Sequence, residues 1–458
     1  MNVREALIVM APEHVLLAGI VLLLLVDIAA PRKAGGFGIA LVFVGAAAAC
    51  AAMLALADVA SAPFAGQVRM TPLDLAAKAV VLALAIPVLL LSRDDLAETR
   101  FFVLVLSSLY GACLMLASDS FLTLFLGFEL MSLPVYVMVM LAYRGPRSAE
   151  AALKYLVLGG VASASLLMGA ALIYGAAASL SFASFTAALA ASDAMAQAGV
   201  ALVVVAFFLK AAVVPFHAWA PDAYEGASVP VTAFMAAVVK AAVLLAAVRL
   251  FADRALDGPF VALVAILPLA SIVWGNLAAM RQASFRRMIA YSSIAHAGYL
   301  FYALLGDPAG RYQAVLFYTL AYGVMNLLAF AALPRADDDD RIDGLAGLYA
   351  RSPYAALMIA VAMLSLAGIP PLPGFVAKFL IFRNVMAAGH TTYAVLGLVG
   401  SYLGIYFYLR VIQLMFMKAP EPAAALPAAR ELAMPASLLC LAASIVLGVF
   451  PGWVLALL

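Results

Sequence analysis

Apolar runs follow one another along almost the whole chain, broken by short polar stretches rich in Arg, Asp, Gly and Pro. Runs of about 18 to 25 residues are long enough to cross roughly 30 Å of hydrocarbon as helix, and counting them predicts about fourteen spans. They fall near 12–30, 36–58, 72–92, 101–118, 121–142, 150–176, 196–219, 228–251, 259–280, 287–305, 311–333, 353–386, 391–417 and 432–456. Two of them, 196–219 and 353–386, are interrupted by proline, which removes a backbone hydrogen bond and exposes a carbonyl. Both predict broken helices. The stretch 181–190 is short and mildly amphipathic and predicts a segment lying at the interface. The first run ends in Asp27 and Pro31-Arg32-Lys33 without the flanks of a cleaved leader, so it reads as the first span.

Composition agrees with this pattern. Of 458 residues 67% are hydrophobic and 11% charged, against roughly 25% charged in soluble domains. The expected fold class is an all-α polytopic membrane protein. A net charge of +2 made of sparse charges of both signs gives no basic face for nucleic acid and no acidic tail for a charged partner. Cys50, Cys113 and Cys440 are far apart and make neither an iron-sulfur nor a zinc ligand set. No Gly-rich phosphate loop, Ser/His/Asp set or H-E-x-x-H pattern supports nucleotide binding or hydrolysis. The acidic run 337–340 lacks the twelve-position pattern of a calcium loop and reads more simply as a solvated loop.

An even number of spans places both ends of the chain on one side. Arg93, Arg100, Arg147, Arg287, Arg341 and most other loop cations fall on the opposite side; Arg4, Arg69, Arg249, Arg254, Arg311 and Arg383 fall on the terminal side. Positive-inside reasoning then predicts both termini outside the cytoplasm.

The basic residues left inside spans carry the chemistry. An ionised side chain at mid-bilayer costs about 2.5–3.5 kcal/mol on insertion scales, so it must face protein or water. Lys78 has Asp74 at i−4, which predicts a local ion pair; Lys154 has Glu150 at i−4; Arg410 is near enough to a span end to reach out of the membrane. Lys210, Lys240 and Lys378 lie deep in their spans with no carboxylate at i±3 or i±4. Burial brings the neutral form of a lysine within reach, so each is a candidate for taking up and releasing protons. Glu129 is the acid well inside a span without a local base, and its expected partner is a lysine on another helix. Such a pair holds the lysine charged while intact and releases its proton when the acid is neutralised or moves.

In FFLKAAVVPFHAWAP, His217 follows Lys210 by close to two helical turns, with Pro215 between them. Lysine, a helix break with freed carbonyls, and histidine are the components of a proton wire. The second break, LAGIPPLPGFVAKFLIF, sets Pro370, Pro371 and Pro373 close to Lys378. Between the two breaks, YSSIAHAGY brings Ser292, Ser293 and His296 into one polar turn, and His296 is a candidate relay. Two interrupted spans with nearby lysines, in halves of similar length, suggest inverted repeats.

Lys210 with HAWAPDAYEGASVPVTAF, then Lys240, SSIAHAGY and GIPPLPGFVAKF together resemble the antiporter-like proton-translocating membrane subunits of respiratory complex I and the related Mrp-type cation/proton antiporters. The similarity spans nearly the whole chain. Lys378 sets it apart from the M-type subunits, which carry glutamate there, and its end after the last span from the L-type, which carry a long lateral helix; both point to the N-type branch. It departs at GASVPVTAF, where the family reads closer to GAPTPVTAF. The resemblance implies fourteen helices, helices 7 and 12 broken, and two inverted five-helix repeats. The corresponding division is 1–100 for helices 1–3, 101–256 for the first repeat, 257–420 for the second and 421–458 for helix 14. It also implies a hydrated axis: Glu129 and Lys210 at the loading site, Lys154, His217, Lys240 and His296 as relay, and Lys378 as the terminal site. The chain itself is expected to hold no cofactor and no metal, with FMN, iron-sulfur clusters and quinone in partner subunits. Expected partners are antiporter-like subunit M, small membrane subunits and the lipid bilayer of a bacterial inner membrane.

A sodium/proton antiporter subunit would use the same lysines. A purely structural membrane anchor would use them only as glue between helices.

Overall fold

A computed structural model describes residues 3–29, 36–96, 98–141, 145–251, 254–256, 258–334, 340–419 and 431–458. It is almost entirely helical. A short α1 (Val3–Val9) leads into α2 (Ala11–Ala29) and α3 (Gly36–Leu56), and a small antiparallel hairpin, β1 (Ser61–Phe64) with β2 (Val68–Met70), follows. Then come α4 (Pro72–Ser92), α5 (Thr99–Ala117), α6 (Phe121–Leu141), α7 (Pro146–Ala177), the short α8 (Phe182–Ala190), α9 (Ala194–Ala211) and α10 (Trp219–Gly226). α11 (Val229–Phe234) runs through one π-helical turn into α12 (Lys240–Leu250). The second half holds α13 (Pro259–Ala279), α14 (Phe285–Tyr302), α15 (Pro308–Ala332), α16 (Leu348–Arg351), α17 (Pro353–Ala367), α18 (Pro373–Ala387), α19 (Thr391–Met417), α20 (Ala433–Val449) and α21 (Pro451–Leu457).

Among the described residues 12 helices are long and apolar enough to cross a membrane, or 13 if the bent pair α20–α21, turned by 98°, counts as one span. The span 353–386, expected to be broken, is two 15-residue helices, α17 and α18, each short for a crossing by itself. The chain is a polytopic α-helical membrane protein. α11–α12, α14 and α15 are enclosed on nearly all sides, whereas α2, α3, α7 and α19 turn long apolar faces outward. The enclosed helices carry Lys240, Ser292, Ser293 and His296, out of reach of a hydrocarbon solvent. Segment 181–190 forms α8, which packs Phe182 and Phe185 edge-on against Phe121.

Several expectations change at the start of α4. Thr71 caps it, accepting from the Asp74 amide while Asp74 accepts from the Thr71 amide. The remaining Asp74 oxygen is 3.1 Å from Arg249, and the pair is buried. Lys78 therefore does not pair with Asp74; its Nζ meets Glu13 Oε1 at 2.5 Å, both side chains fully enclosed. The i−4 spacing placed Asp74 and Lys78 on one face, but neighbouring helices supplied nearer partners for each. Arg249 and Arg311, expected in loops, are buried helix residues. Arg249 donates to Arg69 O and Leu116 O, and Arg311 to the carbonyls of Phe251, Arg254 and Gly306. Of the acidic run, 337–339 lie outside the described residues; Asp340 is buried against Arg286 at 3.0 Å and Ser284.

Candidate functional site

The two proline breaks place two of the three deep lysines. α9 ends at Ala212, which adopts a left-handed φ of +61°, and the chain turns through Val214-Pro215 before α10 begins. The groups freed by the break are taken within the protein: Trp219 Nε1 donates to Leu209 O at 2.8 Å, and the Val214 amide donates to Ser271 Oγ at 2.7 Å. At the second break Gly368, at φ +87°, closes α17, and α18 begins at Pro373. Here the freed carbonyls hold the lysine itself. Lys378 Nζ donates to Leu366 O and Ala367 O, each at 3.1 Å, and to Ser401 Oγ at 3.0 Å. A cation at the carbonyl end of a helix also meets the negative end of its dipole.

Lys240 enters from the enclosed α12, just after the π turn, and donates to both the carbonyl, at 2.7 Å, and the hydroxyl of Ser293. Ser293 in turn lies 3.2 Å from the Tyr224 hydroxyl. One turn along α14, His296 has the Tyr318 hydroxyl 2.8 Å from Nδ1 and the Tyr408 hydroxyl 3.4 Å from Nε2, and Tyr408 bonds Ser292 at 2.5 Å. The next turn carries Tyr299, whose ring lies 5.1 Å from Lys378 Nζ and whose hydroxyl accepts from Asn276. α14 thus brings Lys240, His296 and Lys378 together, and His296 lies within electrostatic reach of both lysines.

The loading end differs from the sequence expectation. Lys210 is 3% exposed, and its Nζ donates to the Tyr136 hydroxyl at 3.0 Å while lying 4.4 Å above the Phe128 ring. Glu129 sits on the same helix, α6, but accepts from Ser163 Oγ. Among the described residues no direct ion pair joins Glu129 to Lys210, although the acid remains an electrostatic neighbour. Beyond Tyr136 come Tyr155, edge-on at 4.6 Å, and Trp219 stacked on Tyr155 at 4.3 Å.

Two proposed relay residues lie apart from this line. His217 Nε2 accepts from Trp274 Nε1 at 3.0 Å, and Trp274 is half exposed, so the break sets His217 beside the outer wall of the bundle. Lys154 lies at a rim with its side chain 44% exposed, bonded to Glu150 at 2.6 Å and Asp222 at 2.7 Å. Asp222 also binds Arg287, which with Arg147 binds Glu225. This network ties α7, α10 and α14 together at one end. Arg286 beside it donates to the carbonyl of Ala227, just before Ser228 and Val229, where GASVPVTAF departs from the family pattern. Arg410 donates to the Met280 carbonyl, just past the end of α13, at 3.1 Å.

Sequence reasoning passed over Tyr136, Tyr318, Tyr408 and Ser401, and Glu13 and Asp222. Tyr136 had a signal: it follows Glu129 by seven residues, two turns on one face. The others are partners across helices, which spacing along one helix does not reveal. Among the described residues no group of His, Cys, Asp and Glu is arranged to hold a metal ion.

Residues 118–404 match the family model described as NADH:quinone oxidoreductase/Mrp antiporter, transmembrane. The NADH-quinone oxidoreductase subunit N of Pelobacter propionicus is 38% identical over 411 residues, which is 90% of this chain and 89% of that one. A chain of respiratory complex I from Thermus thermophilus, solved with bound aureothin, is 35% identical with a TM-score of 0.83, covering 97% of this chain and 98% of that one. A chain of the Mrp complex from a Dietzia species shares the fold, with a TM-score of 0.85 at 22% identity over 100% of this chain and 96% of that one.

Proposed function

The chain belongs to the NADH:quinone oxidoreductase/Mrp antiporter transmembrane family and, within it, to the subunit N group of NADH-quinone oxidoreductase; from that premise we propose that it moves protons through its buried lysine axis, coupled to quinone reduction by NADH in the whole complex. The observation that carries this reading is the setting of Lys210, Lys240 and Lys378. Each ammonium is enclosed within the apolar helical bundle and held by hydroxyls or carbonyls rather than by a carboxylate. A charge so placed is retained at a cost of several kcal/mol, which favours a working group over glue. Glu129 and Lys210 form the loading site, Lys240 and His296 the middle of the path, and Lys378 its terminal site. Lys154 and His217, from their positions, act at the edges of the path as entry groups.

The same reading divides the chain into leading helices, repeats over 101–256 and 257–420, and a final helix, and puts both termini on the periplasmic side of a bacterial inner membrane. FMN, iron-sulfur clusters and quinone then belong to partner subunits, with antiporter-like subunit M and small membrane subunits as neighbours.

The test is NADH-driven proton pumping in membrane vesicles carrying Lys210→Met, with assembly verified by NADH oxidation through an artificial acceptor. Loss of a proton-transferring group lowers rates by about 10² to 10⁴-fold, so quinone reduction and pumping are expected to fall together in an assembled complex. Wild-type rates would make Lys210 a packing residue. The fold shared with an Mrp complex supports one alternative, a subunit of a sodium/proton antiporter; sodium-dependent transport without the respiratory subunits would establish it.

A further inference from the structure

Lys210 donates to Tyr136, which with Glu129 lies on α6, two turns apart. The Tyr136 hydroxyl reaches Lys210 because α7 leaves a gap beside it. A Cβ on Gly159 would fall 1.9 Å from the Tyr136 hydroxyl and 2.7 Å from the ring carbon bearing it. One turn further along α7, Ser163 donates to Glu129 and also to the Gly159 carbonyl. A single face of α7 therefore seats both groups that compete for the lysine: Gly159 admits the tyrosine, and Ser163 occupies the acid. Phe128, one residue before Glu129, lies under the ammonium at 4.4 Å and completes the cradle.

We propose that Tyr136 is the second seat of the Lys210 ammonium, alternating with Glu129, and that Gly159 is the positioning residue that makes this seat reachable. The inference rests on the proton-loading reading of Lys210. In the arrangement seen here the lysine donates to the phenol oxygen while Glu129 is held by Ser163. In the alternative arrangement the ammonium swings from the phenol to Glu129, and Ser163 can give up its bond to the acid by turning its hydroxyl to the Gly159 carbonyl, to which it already donates at 3.2 Å. Tyr136 keeps its own proton throughout; what alternates is the acceptor of the lysine N–H. The hydroxyl gives the lysine a polar resting place when it is not paired with the acid, so the pair can open without leaving an ammonium bare in an apolar site.

The experiment compares wild type, Lys210→Met, Tyr136→Phe, Gly159→Ala and the Tyr136→Phe/Gly159→Ala double variant in the assembled complex, with quinone-coupled rates normalised to artificial-acceptor NADH oxidation. Tyr136→Phe is expected to lower kcat about tenfold, the scale of one hydrogen bond to a charged group, with the KM for quinone unchanged. Gly159→Ala is expected to lower it comparably by displacing the hydroxyl, and the double variant to match Tyr136→Phe, since both act on one oxygen. If Tyr136→Phe does not assemble, Gly159→Ala decides. A wild-type kcat in Tyr136→Phe beside a defective Lys210→Met overturns the second seat and leaves the loading site standing. An unimpaired Lys210→Met overturns both. Additive losses, a changed KM, or failure of both Tyr136 and Gly159 variants to assemble would reduce the pair to packing.

Discussion

The buried lysines differ in how firmly each ammonium is held. Lys378 donates to two carbonyls and a hydroxyl, Lys240 to both oxygens of Ser293, and Lys210 to one phenol above an aromatic ring. Lys78 is held otherwise, by a carboxylate at 2.5 Å with the Met70 sulfur at 3.3 Å. Removing one member of such an enclosed pair leaves a bare charge, at a cost of about 3–5 kcal/mol. Lys78→Met is thus expected to lower the thermal stability of the purified complex markedly, and the double change Glu13→Gln/Lys78→Met to recover most of it. A double variant no better than the single would show that Lys78 contributes through packing alone. Lys210, Lys240 and Lys378 were legible in the sequence because a cation in an apolar run with no acid one turn away has few explanations. Their partners were not. The spacing of Asp74 and Lys78 says which face of α4 they share, but not that Arg249 and Glu13 arrive there from other helices.

The breaks were legible as well, since proline cannot donate to the helix ladder. What the prolines did not tell is who satisfies the freed groups: Trp219 and Ser271 at the first break, Lys378 at the second. The two also stop differently. A left-handed residue costs roughly 1–2 kcal/mol with a side chain and little with glycine. Ala212→Gly is therefore expected to leave stability unchanged or slightly raised in a thermal melt. Gly368→Ala is expected to lower it by about 1–2 kcal/mol and, because the new Cβ would stand 3.2 Å from Lys378 Nζ, to depress pumping too. An unaffected rate in Gly368→Ala would mean that the seat of Lys378 has slack.

For the molecule as a whole, most of the long helices followed from the sequence to within a few residues, because bilayer thickness sets the length of an apolar run; the exceptions are 196–219, 353–386 and 432–456, where the helix breaks or bends. The hairpin at Ser61–Met70 and the 98° turn before α21 did not, as neither changes that length. Sidedness has a direct check. Ala65→Cys, in the exposed hairpin turn, is expected to react with a membrane-impermeant maleimide in intact cells, and Asp343→Cys only after permeabilisation; the reverse result would invert the assigned topology. Finally, Glu13 and Lys78 stand 65 residues apart in the chain. During synthesis the first apolar helix emerges carrying an acid whose counterion has not yet been translated, and an acid near a helix end is tolerated where one at the centre costs about 2.5–3.5 kcal/mol. The pair can close only once α4 has been translated and has joined α2, so Glu13 enters the apolar phase ahead of its counterion.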